Sequence, residues 1–344
     1  MNFEHYIRRC FELAQNGAGA VSPNPLVGAV LVYNDEIIGE GYHEQYGEAH
    51  AEVNAFESVP DSKRALIPES TLFVNLEPCN HHGKTPPCSQ RVIKEGVRRV
   101  VLSNVDPNPS TNGQGIEVLR KQGVDVITGI LEKEGKWLNR RFFTQHTKHR
   151  PYIILKWAQS ADGFIGRNDG TQMAISNALT NIYTHKWRSE EDAILIGAQT
   201  AINDDPNLTN RNWFGKHPIR ILFDPNKRVP NDFNIFNKTV KTLVIHRNLF
   251  SLVKSNDNLA HANFIRLFFK YLSSLDDALI QSIIVEGGGK TLRSFIDSKC
   301  WDEARIITST KLLNHGVKAP IIEGQHLSLI QLGTDKITTI ISSS

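Results

Sequence analysis

The stretch TLFVNLEPCNHHGKTPPC, residues 71–88, decides how the first half of the chain folds. Its apolar beginning, Thr71–Leu76, predicts a β-strand. Cys79 comes soon after this strand, and a polar loop with one glycine and two adjacent prolines leads to Cys88. Because glycine and proline favour tight turns, this loop can return Cys88 to the side of Cys79. The stretch therefore predicts two thiols close together beyond the end of a strand.

The sequence HAE, residues 50–52, precedes this strand and lies at the start of a predicted helix. Zinc binds imidazole and thiolate ligands, and a catalytic zinc site keeps one position open for water. His50, Cys79 and Cys88 would fill three positions, and the metal would lower the pKa of the bound water toward about 7. Glu52 would carry a proton from that water to a ring nitrogen and then to departing ammonia.

Each part of this pattern is common by itself, and a lone cysteine is usually a small core residue. Together, in this order, the parts match the signature of zinc nucleobase deaminases, in which His-x-Glu is followed by Pro-Cys-x-x-Cys. The loop between the cysteines is longer here, and its polar side chains would lie beside the metal. His81 and His82 are more typical of solvated or substrate-facing residues than of zinc ligands. We therefore predict a Zn²⁺ site with Glu52 as the catalytic residue.

Helices and strands alternate through the first half and predict an α/β layered domain. The predicted helices are Phe3–Ala14, Ala49–Val59, Arg91–Glu95, Ile116–Gln122 and Leu131–Thr147. The predicted strands are Val27–Val32, Ile37–Gly41, Thr71–Leu76, Val97–Ser103 and Val124–Gly129, of which the first two form a hairpin.

A basic stretch that ends at Pro151 predicts the boundary between two domains, residues 1–147 and 148–344. Beyond it, predicted strands lie at Tyr152–Trp157, Ala193–Ile196, Ile219–Phe223, Leu243–Ile245, Ser282–Val285, Arg305–Ser309 and Lys336–Ile341. The polar stretch Asn256–Asn263 has no apolar periodicity and is predicted to be a loop.

Composition limits the function classes. The 344 residues suit two domains, and 40% hydrophobic with 22% charged residues is typical of a globular protein. The net charge of +3 is small for this length. It gives no case for a nucleic-acid-binding surface, where a stripe of basic residues is expected. The chain has no signal-peptide pattern and no apolar run near the roughly 20 residues that span a membrane. Four cysteines over two domains predict no disulfide framework, with Cys10 and Cys300 as core thiols. We therefore predict a cytoplasmic protein.

The second half contains VEGGGKTL, residues 285–292, in which an apolar strand runs into three glycines and a predicted helix. Glycine lets a backbone approach a phosphate, and a helix N-terminus favours an anion. The pattern differs from G-x-G-x-x-G, so it does not indicate a Rossmann domain. Many such turns need glycine for geometry alone, and the triplet is a weak signal by itself.

Three segments together resemble a known family. They are PNPLVG at residues 23–28, GEAHAE at residues 47–52 and PCNHHGKTPPC at residues 78–88. The chain resembles the bifunctional riboflavin-biosynthesis deaminase/reductases called RibD, over nearly its whole length. The long loop between the two cysteines separates this family from cytidine and transfer-RNA deaminases.

The resemblance implies an α/β fold, with an N-terminal cytidine-deaminase-like three-layer domain and a C-terminal dihydrofolate-reductase-like domain. It implies deamination of 2,5-diamino-6-(5-phosphoribosylamino)pyrimidin-4-one, followed by reduction of the ribosyl group to ribityl. The implied cofactors are Zn²⁺ and NADPH. The implied partner is a small phosphorylated pyrimidine, with no nucleic acid and no membrane, and we expect a homo-oligomer.

The resemblance also implies site residues. For the deaminase substrate they are Asn24, His43 and Lys84. For the reductase substrate they are Lys156, Gln172, Arg188, Leu208, Arg211 and Glu286. For the cofactor they are Gln159, Ala174, Thr200, Asp204, Gly288, Gly289, Lys290, Thr291 and Leu292.

The chemistry of these residues suits the implied roles, although ordinary roles stay open for some. Asn24 offers a donor and an acceptor to a ring edge, and it also suits a turn between two prolines. Lys84 and Arg211 would each bind a phosphate, Arg211 through its planar fork. Arg188 also suits an exposed helix surface, and Asp204 also suits a turn. Either Lys156 or Glu286 would transfer the proton in the reduction, and the sequence does not choose between them.

One position departs from the family pattern. Members commonly have Trp-Ile-Ser or Trp-Ile-Thr after the first reductase strand, where this chain has Ala174, Ile175 and Ser176. The missing aromatic ring would help to wall the cofactor site. We therefore expect weaker binding of NADPH or substrate in this half.

Two other hypotheses belong to different classes. A deaminase acting on transfer RNA or DNA, with a nucleic-acid-binding C-terminal domain, would show salt-sensitive binding to polynucleotides. The small net charge and the long cysteine loop disfavour it. A non-enzymatic binding module with one inactive half gains slight support from Ala174, for the second half only.

Overall fold

The computed structural model describes residues 2–81, 86–246, 261–275 and 280–343. The chain divides into two compact units, Met1–His149 and Arg150–Ser344. Among the described residues, no helix combines the length and the apolar character that crossing a membrane requires. The four cysteines are free thiols.

The first unit is built on a mixed sheet. Its strands are β1 (Gly28–Tyr33), β2 (Glu36–Tyr42), β3 (Thr71–Leu76), β4 (Arg99–Asn104) and β5 (Asp125–Ile127). Within the described residues the five strands are ordered β2-β1-β3-β4-β5. β1 runs antiparallel to β2 and β3, whereas β3, β4 and β5 are parallel. The tight turn of the β1–β2 hairpin is made by Asn34 and Asp35, both at positive φ, a conformation that Asn and Asp tolerate well.

Helices cover both faces of this sheet. They are α1 (Phe3–Gln15), α2 (Ala51–Glu57), α3 (Cys88–Lys94), α4 (Gln114–Lys121), α5 (Glu132–Leu138) and α6 (Arg140–Lys148), with a 3₁₀ segment at Asp61–Glu69. Apolar residues of α1 pack on one face of β1, β3 and β4. Those of α2, α3 and α4 pack on the other face. The predicted α/β layering of this half is confirmed.

The predicted single helix Leu131–Thr147 is wrong, because Asn139 interrupts it. Asn139 has φ −96° and ψ 25°, outside the helical region, and it separates α5 from α6. Its side chain bonds to the backbone of Leu26 instead of pointing to solvent. A contact across more than a hundred residues thus ends a helix that the local pattern would continue.

The second unit contains a larger sheet. Its strands are β6 (Tyr152–Gln159), β7 (Phe164–Gly166), β8 (Ala193–Gly197), β9 (Ile219–Phe223), β10 (Thr242–Ile245), β11 (Ser282–Val285), β12 (Glu303–Thr308), β13 (Val317–Lys318), β14 (Gln325–Leu332) and β15 (Asp335–Ile341). In the part of the chain that is described, the main sheet is ordered β10-β9-β8-β11-β6-β12-β15-β14, and β7 pairs with β13. Neighbouring strands are parallel along the spatial order β10-β9-β8-β11-β6-β12. β15 is antiparallel to its neighbours β12 and β14.

Helices cover both faces here too. They are α7 (Ala178–Glu190), α8 (Ala198–Asp204), α9 (His261–Ser273) and α10 (Gly289–Asp297), with a 3₁₀ turn at Asn234–Phe236. Apolar residues of α9 and α10 pack on one face of the sheet, and those of α7 and α8 pack on the other. Because a strand buried on both faces is apolar throughout, β6, β8 and β11 were predictable as continuous apolar runs.

The strand β14 and part of one loop in the second unit differ from expectation. β14 was not predicted, because all but its last residue are exposed and it lacks the alternation of a half-buried strand. The loop predicted at Asn256–Asn263 is wrong from residue 261 onward, where α9 begins. Residues 256–260 lie outside the described part of the chain.

Candidate functional site

Among the described residues of the first unit, three side chains that could hold a metal ion meet, and they are termed the metal cluster. One ligand atom each from His50, Cys79 and Cys88 lies within 4.8 Å of the others. The distances from His50 Nδ1 are 3.3 Å to Cys88 Sγ and 3.6 Å to Cys79 Sγ. Ligands on a tetrahedral zinc, with bonds of about 2.0 Å to nitrogen and 2.3 Å to sulfur, lie about 3.5 Å apart. The three side chains therefore have the spacing of a zinc site.

Local structure places each of these side chains. His50 is the N-cap of α2 and has extended backbone angles, so its ring stands before the helix. Cys79 follows the end of β3, and Cys88 is the first residue of α3, which begins three residues earlier than predicted. The Cys88 backbone N–H donates to Cys79 Sγ at 3.3 Å. A hydrogen bond from the Cys88 thiol is the main cause that lowers the pKa of Cys79 to about 4, so this sulfur is a thiolate, the form that binds metal.

Glu52 lies beside the cluster, in the first turn of α2. It is buried, and its carboxylate lies next to the Cys88 side chain. Burial raises the pKa of Glu52, and the nearby His50 opposes this rise. A carboxyl whose pKa is raised toward neutrality both takes and gives protons, as a general acid–base requires.

Asn24 and His43 form a bonded pair near the metal cluster. Asn24 Nδ2 lies 3.0 Å from His43 Nε2, and His43 Nδ1 lies 2.9 Å from the carbonyl oxygen of Ala49. A carbonyl only accepts, so His43 Nδ1 carries the proton and Nε2 accepts from the Asn24 amide. Burial lowers the pKa of His43, which keeps the ring neutral. The ring of His43 also packs edge-on to His50, at 5.2 Å between centroids.

Two acidic residues of this unit were missed by the sequence analysis. The Asp106 carboxyl is buried just beyond β4, and burial, with the charges of Glu77 and Cys79, raises its pKa to about 6. The Glu77 carboxylate is also buried and accepts from the backbone N–H groups of four residues, Asp106, Gly113, Gly115 and Ile116. The sequence did contain a signal for this pair, because Glu77 follows β3 and Asp106 lies just beyond β4. Polar residues that follow neighbouring parallel strands meet at one edge of the sheet.

The loop between the cysteines is described only in part. Lys84, predicted to bind the substrate phosphate, lies outside the described residues, as does His82. His81 is exposed and is not part of the cluster that could hold a metal.

A cavity of about 1500 Å³ opens in the second unit beside the carboxyl ends of β6, β8 and β11. Most residues predicted for the reductase site line it, namely Lys156, Gln172, Ala174, Thr200, Asp204, Glu286, Gly288, Gly289, Lys290 and Thr291. Four other predicted residues, Gln159, Arg188, Leu208 and Arg211, are not among its lining residues.

Leu292 also lies away from the cavity. Its side chain is fully buried in the apolar core, and its backbone N–H donates to the carbonyl oxygen of Gly288 within α10. No polar group of Leu292 is therefore directed toward a ligand. Leu208 is likewise buried in apolar surroundings, although its backbone has the unusual φ of 54°.

A largely buried charge cluster lies at the cavity, which Lys156 and Glu286 line, and Arg188 pairs with Glu286 without lining it. Glu286 accepts from Arg188 through both carboxylate oxygens, at 2.9 and 2.8 Å, and lies 3.4 Å from Lys156 Nζ. Against the effect of burial, the charges of Arg188 and Lys156 lower the pKa of Glu286 to about 2. Burial lowers the pKa of Lys156, and Glu286 opposes this fall. Arg188 is therefore a largely buried ion-pair partner, with 13% of its side chain exposed, and not an ordinary exposed helix residue.

His185, which was not predicted from the sequence, links this cluster to Arg211. His185 is buried in the middle of α7, and its Nδ1 accepts from the Arg211 backbone N–H at 3.0 Å. The Arg211 side chain is exposed and donates to Thr209 Oγ1 at 3.1 Å. Besides burial, the charges of Arg188, Arg211 and Lys156 lower the pKa of His185, and the charge of Glu286 opposes them. Among the described residues, these three cations face the one carboxylate of Glu286, so the surroundings of His185 favour an anion.

The glycine turn after β11 has partly a packing role. A Cβ on Gly287 would lie 2.7 Å from Thr291 Cβ, so Gly287 is required by the fold itself. The Gly288 N–H donates to Thr200 Oγ1 at 2.9 Å, and a Cβ on Gly288 would lie 3.2 Å from the same oxygen. The turn joins α8 to the N-terminus of α10 along the cavity wall. Ala174, also on this wall, is exposed, and its carbonyl oxygen accepts from Lys311 Nζ.

We expect the second unit to lose stability as the pH falls from about 6.5 to about 4. Burial, with the charges of Arg188 and Arg211, lowers the pKa of His185 from 6.5 to about 4. The unfolded chain therefore takes up this proton at a higher pH than the folded chain, and the stability present above pH 6.5 is lost through this window. Calorimetry of wild type and His185→Gln from pH 7 to 4.5 should show a weaker pH dependence in the variant. Equal dependence in both would contradict the assignment.

Comparisons with known proteins cover both units. Residues 151–343 match the family model described as the RibD C-terminal domain, and residues 1–104 match the cytidine and deoxycytidylate deaminase zinc-binding region. The riboflavin biosynthesis protein RibD of Aquifex aeolicus is 37% identical, over 91% of this chain and 88% of that protein. Its counterpart from Bacillus amyloliquefaciens is 35% identical, over 98% and 96%.

Solved structures agree with these matches. A crystal structure from Thermotoga maritima, of a diaminohydroxyphosphoribosylaminopyrimidine deaminase/5-amino-6-(5-phosphoribosylamino)uracil reductase, aligns with a TM-score of 0.85 at 32% identity, covering 99% of this chain and 98% of that one. A RibD structure from Acinetobacter baumannii aligns with a TM-score of 0.86 at 28% identity, covering 99% of both chains.

Proposed function

The chain belongs to the RibD family of riboflavin-biosynthesis proteins, and we propose from this premise how its residues divide the work of that family. It is a deaminase and a reductase, with Zn²⁺ and NADPH as cofactors and a small molecule as substrate. The predicted fold class is confirmed, with a cytidine-deaminase-like first unit and the reductase domain of this family as the second. A deaminase acting on nucleic acid is not favoured.

The observation that carries the deaminase assignment is the His50, Cys79 and Cys88 cluster beside a buried Glu52. The donor set and its spacing fit zinc, so we assign these three residues as its ligands. When bound, zinc supplies a Lewis acid that makes water nucleophilic at neutral pH. Glu52 would take one proton of that water and deliver it to a ring nitrogen. It would then take the proton of the hydroxyl left on the ring carbon and pass it to the departing ammonia.

Asn24 and His43 orient the pyrimidine ring in this proposal. Because the Asn24 amide nitrogen donates to His43 Nε2, the Asn24 side-chain oxygen is left to accept from an amino group on the ring edge. The neutral His43 holds the amide in this orientation. The role of Lys84 as the phosphate partner stays a prediction.

For the reduction we infer that Lys156, and not Glu286, transfers the proton. NADPH supplies the hydride. A carboxylate with a pKa of about 2, bonded through both oxygens to Arg188, holds a proton poorly near neutrality. The ammonium of Lys156, whose pKa is lowered by burial, gives up its proton more readily than an exposed lysine. Glu286 then keeps Lys156 and Arg188 in place by charge.

The cofactor and the substrate phosphate have different places in this proposal. Thr200, Gly288 and the N-terminus of α10 form a wall where backbone can approach a phosphate. Arg211, with His185 beneath it, binds the phosphate of the sugar substrate. Ala174 lines this cavity where an aromatic residue would narrow it. Because that aromatic contact with the cofactor is missing, we keep the prediction that NADPH binds more weakly.

We predict one zinc per chain, bound in the first unit. His50→Ala should lose most of its zinc, because two thiols alone leave the site incomplete. Metal analysis of the purified chain checks this, with His81→Ala as the matched control that should keep its zinc. A metal-free wild-type chain, or a His50→Ala chain with full zinc, would remove the metal site from the account.

We also predict that the two activities separate at the boundary between the units. The predicted domains are residues 1–147 and 148–344. The boundary between them lies two residues from the division of the chain after His149. A fragment of residues 1–149 should bind zinc and deaminate without NADPH. A folded, zinc-loaded fragment that never deaminates would mean that the deaminase site needs residues beyond 149.

Three further points stay predictions, namely the absence of a nucleic-acid partner, the homo-oligomer and the cytoplasmic location.

A further inference from the structure

Two asparagines hold the backbone that carries Asn24. Asn75 and Asn139 are both buried, with 0% and 4% of their surface exposed. Neither is charged, neither belongs to the metal cluster, and both bond to the short segment of residues 26–28. Since Pro25 alone separates this segment from Asn24, its position decides where the Asn24 side chain lies.

Asn139 makes a reciprocal pair of bonds with one residue. Its Oδ1 accepts from the Leu26 N–H at 2.8 Å, and its Nδ2 donates to the Leu26 carbonyl at 2.9 Å. The side-chain amide thus bonds to both backbone groups of a single residue, as a neighbouring β-strand would. The backbone of Asn139 leaves the helical region at this point, so the break between α5 and α6 presents this side chain to the segment.

Asn75 extends the sheet toward the same segment. Backbone pairing between β1 and β3 begins at Ala29 and Val74. One residue earlier, the Asn75 side chain accepts from the Gly28 N–H at 2.7 Å and donates to the Leu26 carbonyl at 2.9 Å. Gly28 has no room for a side chain, because a Cβ there would lie 2.2 Å from the Cys10 carbonyl oxygen of α1. The segment is therefore fixed from three sides.

This fixed segment connects to the substrate-binding pair at two points. The His43 backbone N–H donates to the Val27 carbonyl at 2.9 Å, and the Asn24 amide bonds to the His43 ring at 3.0 Å. We propose that Asn139 and Asn75 are positioning residues of the deaminase, which hold the Asn24–His43 pair at the correct distance from the metal cluster. This inference rests on the proposed function, since it gives Asn24 and His43 their role in binding the pyrimidine.

The test compares Asn139→Ala with Asn104→Ala in the full-length, zinc-loaded enzyme. Asn104 is a matched control, because it is a buried asparagine of the same unit whose side-chain amide donates to a backbone carbonyl, that of Glu132, away from residues 24–28. Loss of the Leu26 bonds should lower kcat/KM for deamination by about tenfold to a hundredfold, mainly through KM, as expected when a binding group is displaced by about 1 Å. Asn104→Ala should keep the wild-type KM.

Zinc content and reductase activity are measured on the same samples and should be unchanged, which shows that each variant is folded. Asn139→Asp is a second variant of the same shape. It keeps an acceptor for the Leu26 N–H but places a carboxylate oxygen against the Leu26 carbonyl, so it should also raise KM. A wild-type KM in Asn139→Asp, or an equal rise in Asn104→Ala, would overturn the proposal.

A double-mutant cycle with Asn24→Ala separates positioning from general stability. If Asn139 acts through Asn24, the double variant should deaminate no worse than Asn24→Ala alone, whereas independent effects multiply. Multiplied losses would overturn the proposal. A wild-type chain that does not deaminate the diaminopyrimidine phosphate would contradict the proposed function itself.

Discussion

Glu52→Gln should retain its zinc and lose deamination by a factor of about 10²–10⁴. Glutamine has nearly the same shape as glutamate, so the packing of α2 and the three metal ligands should be undisturbed. It cannot take a proton from water or return one to ammonia. Glu52 is buried beside Cys88, and among the described residues the metal cluster itself contains no carboxylate that could replace it.

Metal analysis and a deamination assay without NADPH test this variant. Glu57→Gln is the matched control, because Glu57 ends the same helix but is exposed and pairs with Arg91. It should deaminate at close to the wild-type rate. Reduction of the already deaminated substrate should be normal in both variants. Near-normal deamination by Glu52→Gln would exclude Glu52 from the proton transfer.

Arg211→Ala should impair reduction by about tenfold to 150-fold and leave deamination unchanged. The substrate carries a phosphate in both steps of the proposal, and the two sites need separate partners for it. The charges of Arg211, Arg188 and Lys156 all act on His185, and in the described part of the chain Glu286 is the carboxylate that opposes these three cations. A charge-assisted hydrogen bond contributes roughly 1.5–3 kcal/mol, which converts to this range of affinity. The loss should appear as a raised KM for the sugar phosphate.

Arg266→Ala is the control for this experiment, since Arg266 is an exposed arginine on α9 of the same unit. It should leave both activities unchanged. Titration with NADPH should give the same affinity for wild type and Arg211→Ala. If NADPH binding collapses while the KM for the sugar phosphate is unchanged, Arg211 contacts the cofactor, and the proposed places of the two ligands must be exchanged.

The metal cluster was predictable because its ligands lie in two short motifs, residues 50–52 and 79–88, that can be recognised from the sequence alone. Histidine and cysteine are the ligands that zinc prefers, and their order around one strand limits how they can meet. The buried strands were predictable for a similar reason, since burial on both faces makes them apolar throughout. The exposed strand β14 lacks that pattern, and only pairing with β15 makes it a strand.

Residues that act through distant contacts were not predictable in this way. Asn139 looks like an ordinary position in a polar helix, and its role depends on Leu26, 113 residues away. His185 lies in mid-helix, and only the packing of α7 brings it to Arg211 and the charge cluster. The resemblance named Lys156 and Glu286 without assigning the proton to either. Their burial and the bond from Arg188 supply the reason to choose Lys156.

One chain should carry out both reactions, and the mass of the product shows whether it does. The purified, zinc-loaded chain is incubated with 2,5-diamino-6-(5-phosphoribosylamino)pyrimidin-4-one, with and without NADPH. Without NADPH, the product should have one amino group replaced by oxygen. With NADPH, it should also gain two hydrogens and contain the opened ribityl chain. Unchanged substrate in both reactions, in a chain that holds one zinc, would contradict the account.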